Sequence, residues 1–203
     1  MKKLPVFTVL ITSASILINV YPAIIGFKAQ PFNSISLVSS TIAWLSYLYS
    51  LYFLSSEGNR RTLLTGLNIL LLVTILLPLY DVFSKSPENI ELASKGFLSG
   101  LYVFMNYVSR ISLLLFSISI LTQKEFTLRI AMIILSGLIF TSFLTCVYEW
   151  FVLFNNTEPL TLYTWIARTI DPFAILALFL LQLYLIINRK VVINSQSSNS
   201  ISK

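Results

Sequence analysis

Six long apolar runs constrain the fold of this 203-residue chain more than any other feature. They cover residues 4–27, 34–54, 63–83, 97–121, 130–154 and 160–188. A helix needs about 20 predominantly apolar residues to cross the hydrocarbon core of a bilayer. Only 11% of the residues are charged, whereas a soluble domain has about 25%. The sequence therefore predicts an all-α, polytopic membrane bundle of six transmembrane helices.

The connections between the runs are short, and the longest covers residues 84–96. No soluble domain is inserted between two spans, so residues 1–190 are expected to form one transmembrane bundle domain. Residues 191–203 read VVINSQSSNSISK, and their Ser and Asn content is too polar to bury a core. We expect this segment to be a disordered cytoplasmic tail.

Basic residues fall mainly on one side of the predicted bundle. With the N-terminus inside, the cytoplasmic side holds Lys2, Lys3, Arg60, Arg61, Lys124, Arg129, Arg189, Lys190 and Lys203. The opposite side holds only Lys28, Lys85 and Lys95. An excess of Lys and Arg in cytoplasmic loops orients membrane proteins. The sequence thus predicts a multi-pass protein of the cell (plasma or inner) membrane, N-in/C-in, with both termini cytoplasmic.

An alternative interpretation of the first run is a cleaved secretory signal, because MKK precedes it and VYPA is an acceptable cleavage site. The apolar stretch is about 22 residues long, whereas the apolar region of a signal has about 7–15. This length favours a membrane span.

The net charge of +6 follows from this topology, since basic loops attract anionic lipid headgroups. A nucleic-acid-binding protein would need a basic soluble face, which this sequence lacks. The expected partner is the lipid bilayer, together with either a second membrane protein or a small-molecule ligand, and no nucleic acid.

The absence of histidine narrows the chemistry further. Without histidine the chain has no Ser-His or Cys-His nucleophile pair and no histidine-bound haem or metal. Cys146 is the single cysteine, so neither an internal disulfide nor a cysteine-based metal site is expected. We expect no cofactor, no metal and no catalytic residue, and a role other than that of an enzyme.

The candidate site rests on ionisable residues within the spans, because a charge at mid-bilayer costs about 2.5–3.5 kcal/mol and needs a partner or a watery cavity. Arg110 is the deepest, about 20 Å from the start of its span at Phe97. Asn106 lies one turn earlier on the same face, with Tyr107 beside it. Glu149, about 7 Å below the end of the fifth span, is the predicted partner of Arg110. The pair is either a structural salt bridge or part of a solvated cavity in which Arg110 binds an anion.

Arg168 and Asp171 precede the last apolar run in the stretch YTWIARTIDPF. Pro172 is predicted to be the first residue of the last helix, with Asp171 as its N-cap at the positive end of the helix dipole. The alternative is that both charged residues line the same cavity as Arg110. Asp81 and Tyr148 also lie near the ends of spans on this side. The candidate ligand-binding residues are therefore Arg110, Glu149, Asn106, Tyr107, Arg168, Asp171, Tyr148 and Asp81.

This pattern favours a small-solute binding or transport subunit with a polar cavity in the outer half of the bundle. A second hypothesis is a non-catalytic membrane partner, such as an assembly, immunity or sensory subunit, whose buried charges pair with another protein. A third is a membrane enzyme acting on a lipid-like substrate through Glu149 or Asp81, although nothing in the sequence activates either carboxylate.

Overall fold

A computed structural model describes residues 3–25, 31–55, 61–155 and 162–198. Within these ranges the chain forms seven α-helices and no strand. They are α1 (Lys3–Ile25), α2 (Pro31–Ser55), α3 (Arg61–Ser84), α4 (Ser86–Ser94), α5 (Phe97–Leu121), α6 (Glu125–Asn155) and α7 (Leu162–Ser198). All except α4 are long and apolar enough to cross a membrane. The six predicted spans are thereby confirmed, and they indicate a multi-pass membrane protein.

The six long helices pack in a ring that follows the chain. Each contacts the next in the order α1, α2, α3, α5, α6 and α7, and α7 returns to contact α1. Because α2 also contacts α7 directly, α1 lies outside the groove between them. Inside a bilayer every backbone polar group must be satisfied within the protein. A ring of helices meets this requirement, since each helix bonds its own backbone.

The core lies between α2, α3, α5, α6 and α7. Tyr47 of α2 and Phe116 of α5 are fully buried, with ring centroids 4.8 Å apart in an edge-to-face arrangement. Asn68 of α3 donates to Ser50 Oγ (3.2 Å), and its carbonyl accepts from Ser117 Oγ (2.6 Å). Lipid is as apolar as these side chains, so close packing and such hydrogen bonds hold membrane helices together.

A tight turn joins α5 to α6. Gln123 adopts a positive φ of 56°, and Lys124 N donates to Ser119 O at 3.0 Å. These two features define a Schellman-type helix end, which satisfies the last carbonyls of α5. The short connection makes α5 and α6 antiparallel neighbours.

Helix α4 lies within the connection that the sequence treats as a loop, residues 84–96. Pro87 stands in its first turn, where its missing N–H is not needed by the helix. Gly96 then separates α4 from α5 with a φ of 159°, a conformation that a residue with a Cβ rarely adopts. As a result, α4 folds back and packs against α5.

Pro172 lies inside α7, so the prediction that it begins the last helix with Asp171 as N-cap is wrong. The helix starts ten residues earlier, at Leu162. A proline cannot donate to the carbonyl four residues before it, but membrane helices tolerate this loss when neighbouring groups compensate. Residues before Asp171 therefore belong to the bundle.

Two other boundaries differ from the sequence interpretation. Helix α6 begins at Glu125, before the apolar run that starts at residue 130. The backbone of α7 continues to Ser198, so residues 191–198 of the proposed tail are helical. The side chains from residue 189 onwards, and residues 199–203 altogether, lie outside the described part of the chain. The division between bundle and tail stays a prediction.

The orientation predicted from the basic residues places α4 outside the cell and the α5–α6 turn inside. Ser94 and Thr122 are exposed at these two ends. We expect a membrane-impermeant maleimide added to intact cells to label Ser94→Cys, and to label Thr122→Cys only after permeabilisation, both in a Cys146→Ser background. The reverse pattern would show that the charge bias does not orient this protein.

Candidate functional site

A polar cavity of about 160 Å³ lies between α3, α4 and α5, at the end of the bundle that carries α4. Its lining consists of Asp81, Val82, Lys85, Asn89, Tyr102, Val103, Asn106 and Arg110. At about 30 Å³ per water molecule, the cavity holds roughly five waters or an equal number of heavy atoms. It is thus suited to a small solute or a single headgroup.

The spacing of residues on α5 directs Arg110 into this cavity. Val103, Asn106 and Arg110 line it, and Ser117 of the same helix donates to the Asn68 carbonyl of α3. These positions are separated by three, four and seven residues, so they lie along one face of the helix. Arg110 Nη1 donates to the backbone carbonyl (3.2 Å) and the side-chain Oδ1 (2.9 Å) of Asn106. Asn106 therefore holds the guanidinium against its own helix.

No carboxylate neutralises Arg110 at contact distance among the described residues. Their three ion pairs within 4.0 Å are Lys85 with Asp81, Lys95 with Glu91 and Arg168 with Glu149. The Nε of Arg110 is buried and has no hydrogen-bond partner there. A buried charged donor without an acceptor is costly. The cavity thus contains hydrogen-bonding capacity that the neighbouring protein groups leave unused.

Asp81 supplies the negative charge of the cavity. Its Oδ1 lies 3.0 Å from Lys85 Nζ, and its Oδ2 accepts from Ser36 Oγ at 3.2 Å. The Asp81 side chain is 17% exposed, against 40% for Lys85. With Arg110, Lys85 and Asp81 as the charged lining residues, the cavity carries one net positive charge.

Asn89 and Tyr107 fix α4 over the cavity. Both donate to the Val82 carbonyl, at 3.1 Å from Asn89 Nδ2 and 3.0 Å from Tyr107 Oη. This carbonyl belongs to the last turn of α3, where the helix itself supplies no partner. Tyr107 also packs edge-to-face on Phe83 at 5.3 Å. The predicted site residue Tyr107 thus supports the cavity without lining it.

The predicted pairing of Arg110 with Glu149 is wrong. Glu149 of α6 instead lies 3.2 Å from Arg168 Nη1 of α7. The reason is the direction of Arg110, which faces α3 and α4 while α6 packs on another side of α5. Both members of the Glu149–Arg168 pair are more than one third exposed, so this pair connects α6 and α7 at the edge of the bundle.

Asp171 takes part in a separate cluster. Its Oδ1 accepts hydrogen bonds from Ser15 Oγ (2.7 Å) and Asn19 Nδ2 (3.0 Å) of α1. Further along the same face of α1, Thr12 Oγ1 donates to the Ala174 carbonyl at 3.3 Å. Asp171 therefore anchors α1 to α7. Tyr148 is 63% exposed and is absent from the cavity lining.

Of the eight candidate residues, the structure brings Arg110, Asn106 and Asp81 together in the cavity. The lining residues that the sequence interpretation missed include Lys85, Asn89 and Tyr102. All three had a signal in the sequence. Lys85 and Asn89 follow Asp81 at intervals of four, the spacing of side chains on one helical face. Tyr102 had the same signal, four residues before Asn106.

In the described ranges, no group of three His, Cys, Asp or Glu side chains forms a metal site. No family model, curated protein or solved structure matches the chain. The fold and the cavity alone define its class, a six-span helical membrane protein with a small charged cavity at one end of the bundle.

Double-mutant cycles on the free energy of unfolding should show which of the two arginines, Arg110 or Arg168, interacts with Glu149. For Glu149 with Arg168 we expect a coupling of about 0.2–1 kcal/mol, the range for exposed ion pairs. For Glu149 with Arg110 we expect a coupling near zero, since distant residues act additively. Replacing each charged residue by Gln provides the cycles. A larger coupling for the Arg110 pair would contradict the arrangement described above.

Proposed function

We propose that this protein binds a small solute through a carboxylate or phosphate group in the cavity between α3, α4 and α5, as a binding or transport subunit of the membrane. The observation that carries the proposal is Arg110, which lines a cavity at the α4 end of the bundle and has no carboxylate within 4.0 Å of its guanidinium among the described residues. A charge at this depth is stabilised by a polar partner or by water.

The chemistry of arginine supports an anionic partner. The planar guanidinium presents several donors in a fixed fork, which matches the two oxygens of a carboxylate or phosphate. Asn106 occupies only Nη1, and it accepts without contributing a negative charge. An anion would satisfy the remaining donors and neutralise the net positive charge of the cavity.

A layer of fully buried apolar residues follows the cavity lining along α3 and α5. Leu113 lies one turn beyond Arg110 on α5, and Leu71 and Ile75 of α3 precede Asp81. All three are 0% exposed. A solute bound beside Arg110 would therefore have access from the α4 end only, as in one state of an alternating-access cycle. Transport by this protein requires a second state in which the layer opens.

The test is thermal unfolding of the purified protein in detergent with a panel of small carboxylates and phosphates at constant ionic strength. At about 100-fold excess over Kd, a ligand stabilises by roughly 2.7 kcal/mol, which raises Tm by about 5–10 °C for a chain of this size. Arg110→Gln should abolish this shift. Arg110→Lys should weaken it strongly, since one ammonium group does not replace the fork.

Arg168→Gln is the matched control, because it removes an arginine that is already paired with Glu149. It should leave the ligand-induced shift intact. The proposal fails if no compound raises Tm, or if Arg110→Gln keeps the shift. A second membrane protein that co-purifies only when Arg110 is present, without any small-molecule response, would instead favour the partner-subunit hypothesis.

A further inference from the structure

We infer that α4 is the gate of this cavity, a short helix that moves aside to admit a solute and closes over it afterwards. The inference rests on the proposed function and specifies how access to that site is controlled. Three observations carry it. No residue of α4 is buried, a single side chain tethers the helix to its neighbours, and a glycine with a positive φ follows it.

The face of α4 that is turned toward the bundle is small and polar. Its half-buried residues are Ser86, Asn89 and Ala93, at the spacing of one helical face, whereas Ile90 is 70% exposed. Helices in proteins are held in place mainly by packing of an apolar face. Because α4 lacks such packing, it can leave the bundle without exposing a buried side chain of its own.

One side chain of α4 bonds to the neighbouring helices. Asn89 Nδ2 donates to the Val82 carbonyl of α3 at 3.1 Å and to Tyr107 Oη of α5 at 3.4 Å. Among the described residues, no second side chain of α4 hydrogen-bonds to α3 or α5. The carboxylate of Glu91 pairs with Lys95 at the end of the same helix, at 3.4 Å. Asn89 is therefore the tether of α4.

The Val82 carbonyl keeps a partner when α4 moves away. It also accepts from Tyr107 Oη at 3.0 Å, a bond between α5 and α3 that does not involve α4. An unpaired buried carbonyl would make opening costly, and Val82 is only 8% exposed. Because Tyr107 satisfies this carbonyl in both positions of α4, and water satisfies Asn89 in the open one, opening costs little more than one hydrogen bond.

The two ends of α4 permit this motion. Lys85 alone separates α4 from α3, which ends at Ser84. At the other end Gly96 precedes α5 with a φ of 159°. Hinges consist of a few residues at the ends of elements that absorb the change in φ and ψ. A side chain at Gly96 would be strained in this conformation, so the closed position of α4 depends on the glycine.

Motion of α4 would open the cavity directly, because the tether is also part of its wall. Asn89 and Val82 both belong to the lining. With α4 in place, the volume of about 160 Å³ holds roughly five heavy atoms at the volume of water. A charged methanethiosulfonate reagent is larger than this, so its reaction with a thiol inside the cavity reports the open position.

The experiment measures the reaction of Val82→Cys, in a Cys146→Ser background of the full-length protein, with an anionic and a cationic methanethiosulfonate reagent. Asn89→Leu removes the tether and keeps the bulk of the side chain. We expect it to accelerate both reactions by about two- to tenfold, the factor for one neutral hydrogen bond. An equal effect on both reagents indicates opening, since a change in local charge would affect them in opposite directions.

Gly96→Ala should accelerate the same two reactions through the hinge, without a change in the cavity lining. Ser94→Ala is the matched control within α4. Ser94 is exposed, and its hydroxyl donates to the Glu91 carbonyl of its own helix at 2.7 Å. This substitution should leave both labelling rates unchanged.

A disulfide tests the closed position from the opposite direction. A Cβ at Gly100 of α5 would lie 4.0 Å from the Cβ of Ala93, within the range of about 3.5–4.5 Å for a disulfide. Ala93→Cys combined with Gly100→Cys should therefore cross-link on oxidation. We expect the cross-link to slow labelling of residue 82 about tenfold or more, within the stabilisation that a disulfide provides. Mass spectrometry of peptides identifies the cross-link and each labelled site.

The outcomes separate this inference from the function on which it rests, because the labelling needs no ligand. Equal labelling rates in the parent, Asn89→Leu, Gly96→Ala and the cross-linked protein would overturn the gate, even if solutes bind through Arg110. Labelling that responds as expected, without any ligand-induced rise in Tm, would support the gate and overturn the proposed function. Circular dichroism establishes that each variant is folded before its labelling is measured.

Discussion

The cost of placing a charge in the hydrocarbon layer governs the arrangement of polar groups in this protein. Arg110 lies about 20 Å from the start of its helix, and even a lenient scale assigns such a residue about 2.5–3.5 kcal/mol. The protein meets this cost by folding α4 back over the end of α5, where Asn89 and Tyr107 bond to the Val82 carbonyl. A polar cavity forms beside this helix, and Arg110 is one of its lining residues.

The same cost explains why the other charges form separate clusters. Glu149 lies beside Arg168, and Asp171 accepts from Ser15 and Asn19. These clusters join α6 to α7 and α1 to α7, and their hydrogen bonds are used within the protein. The cavity of Arg110 differs because the guanidinium has no ion-pair partner within 4.0 Å and retains a buried Nε without a hydrogen-bond partner among the described residues. This difference makes the cavity a candidate binding site and the other clusters structural contacts.

The sequence predicts the number of spans well, because six apolar runs of the required length are a direct consequence of bilayer thickness. It predicts the helix ends less well. The short helix α4 has too few apolar residues to be predicted from apolar runs. Pro172 resembles the start of a helix, although α7 continues through it. A proline has the same local signature at a first turn and in the middle of a membrane helix, so only the packing of α7 distinguishes them.

The site was predictable in part. The depth of Arg110 and the position of Asn106 on the same helical face follow from helix geometry alone. The structure adds a hydrogen bond between the two side chains. The depth of Arg110 in the bundle does not identify the helix that it faces. Glu149 lies at a similar depth, but on a helix that Arg110 does not face. Ser117 follows Arg110 by seven residues and lies on the same face of α5. This spacing shows that Arg110 faces α3 only once Ser117 is known to contact α3.

Arg110 is proposed to make this cavity an aqueous, positively charged site. This proposal is tested most directly by the reactivity of Val103→Cys in a Cys146→Ser background, since Val103 lines the cavity. The measurement compares an anionic and a cationic methanethiosulfonate reagent, each normalised to its rate with a free thiol. We expect a faster normalised reaction with the anionic reagent, and loss of that preference when Arg110→Gln is added. An unreactive thiol, or a preference for the cationic reagent, would contradict it.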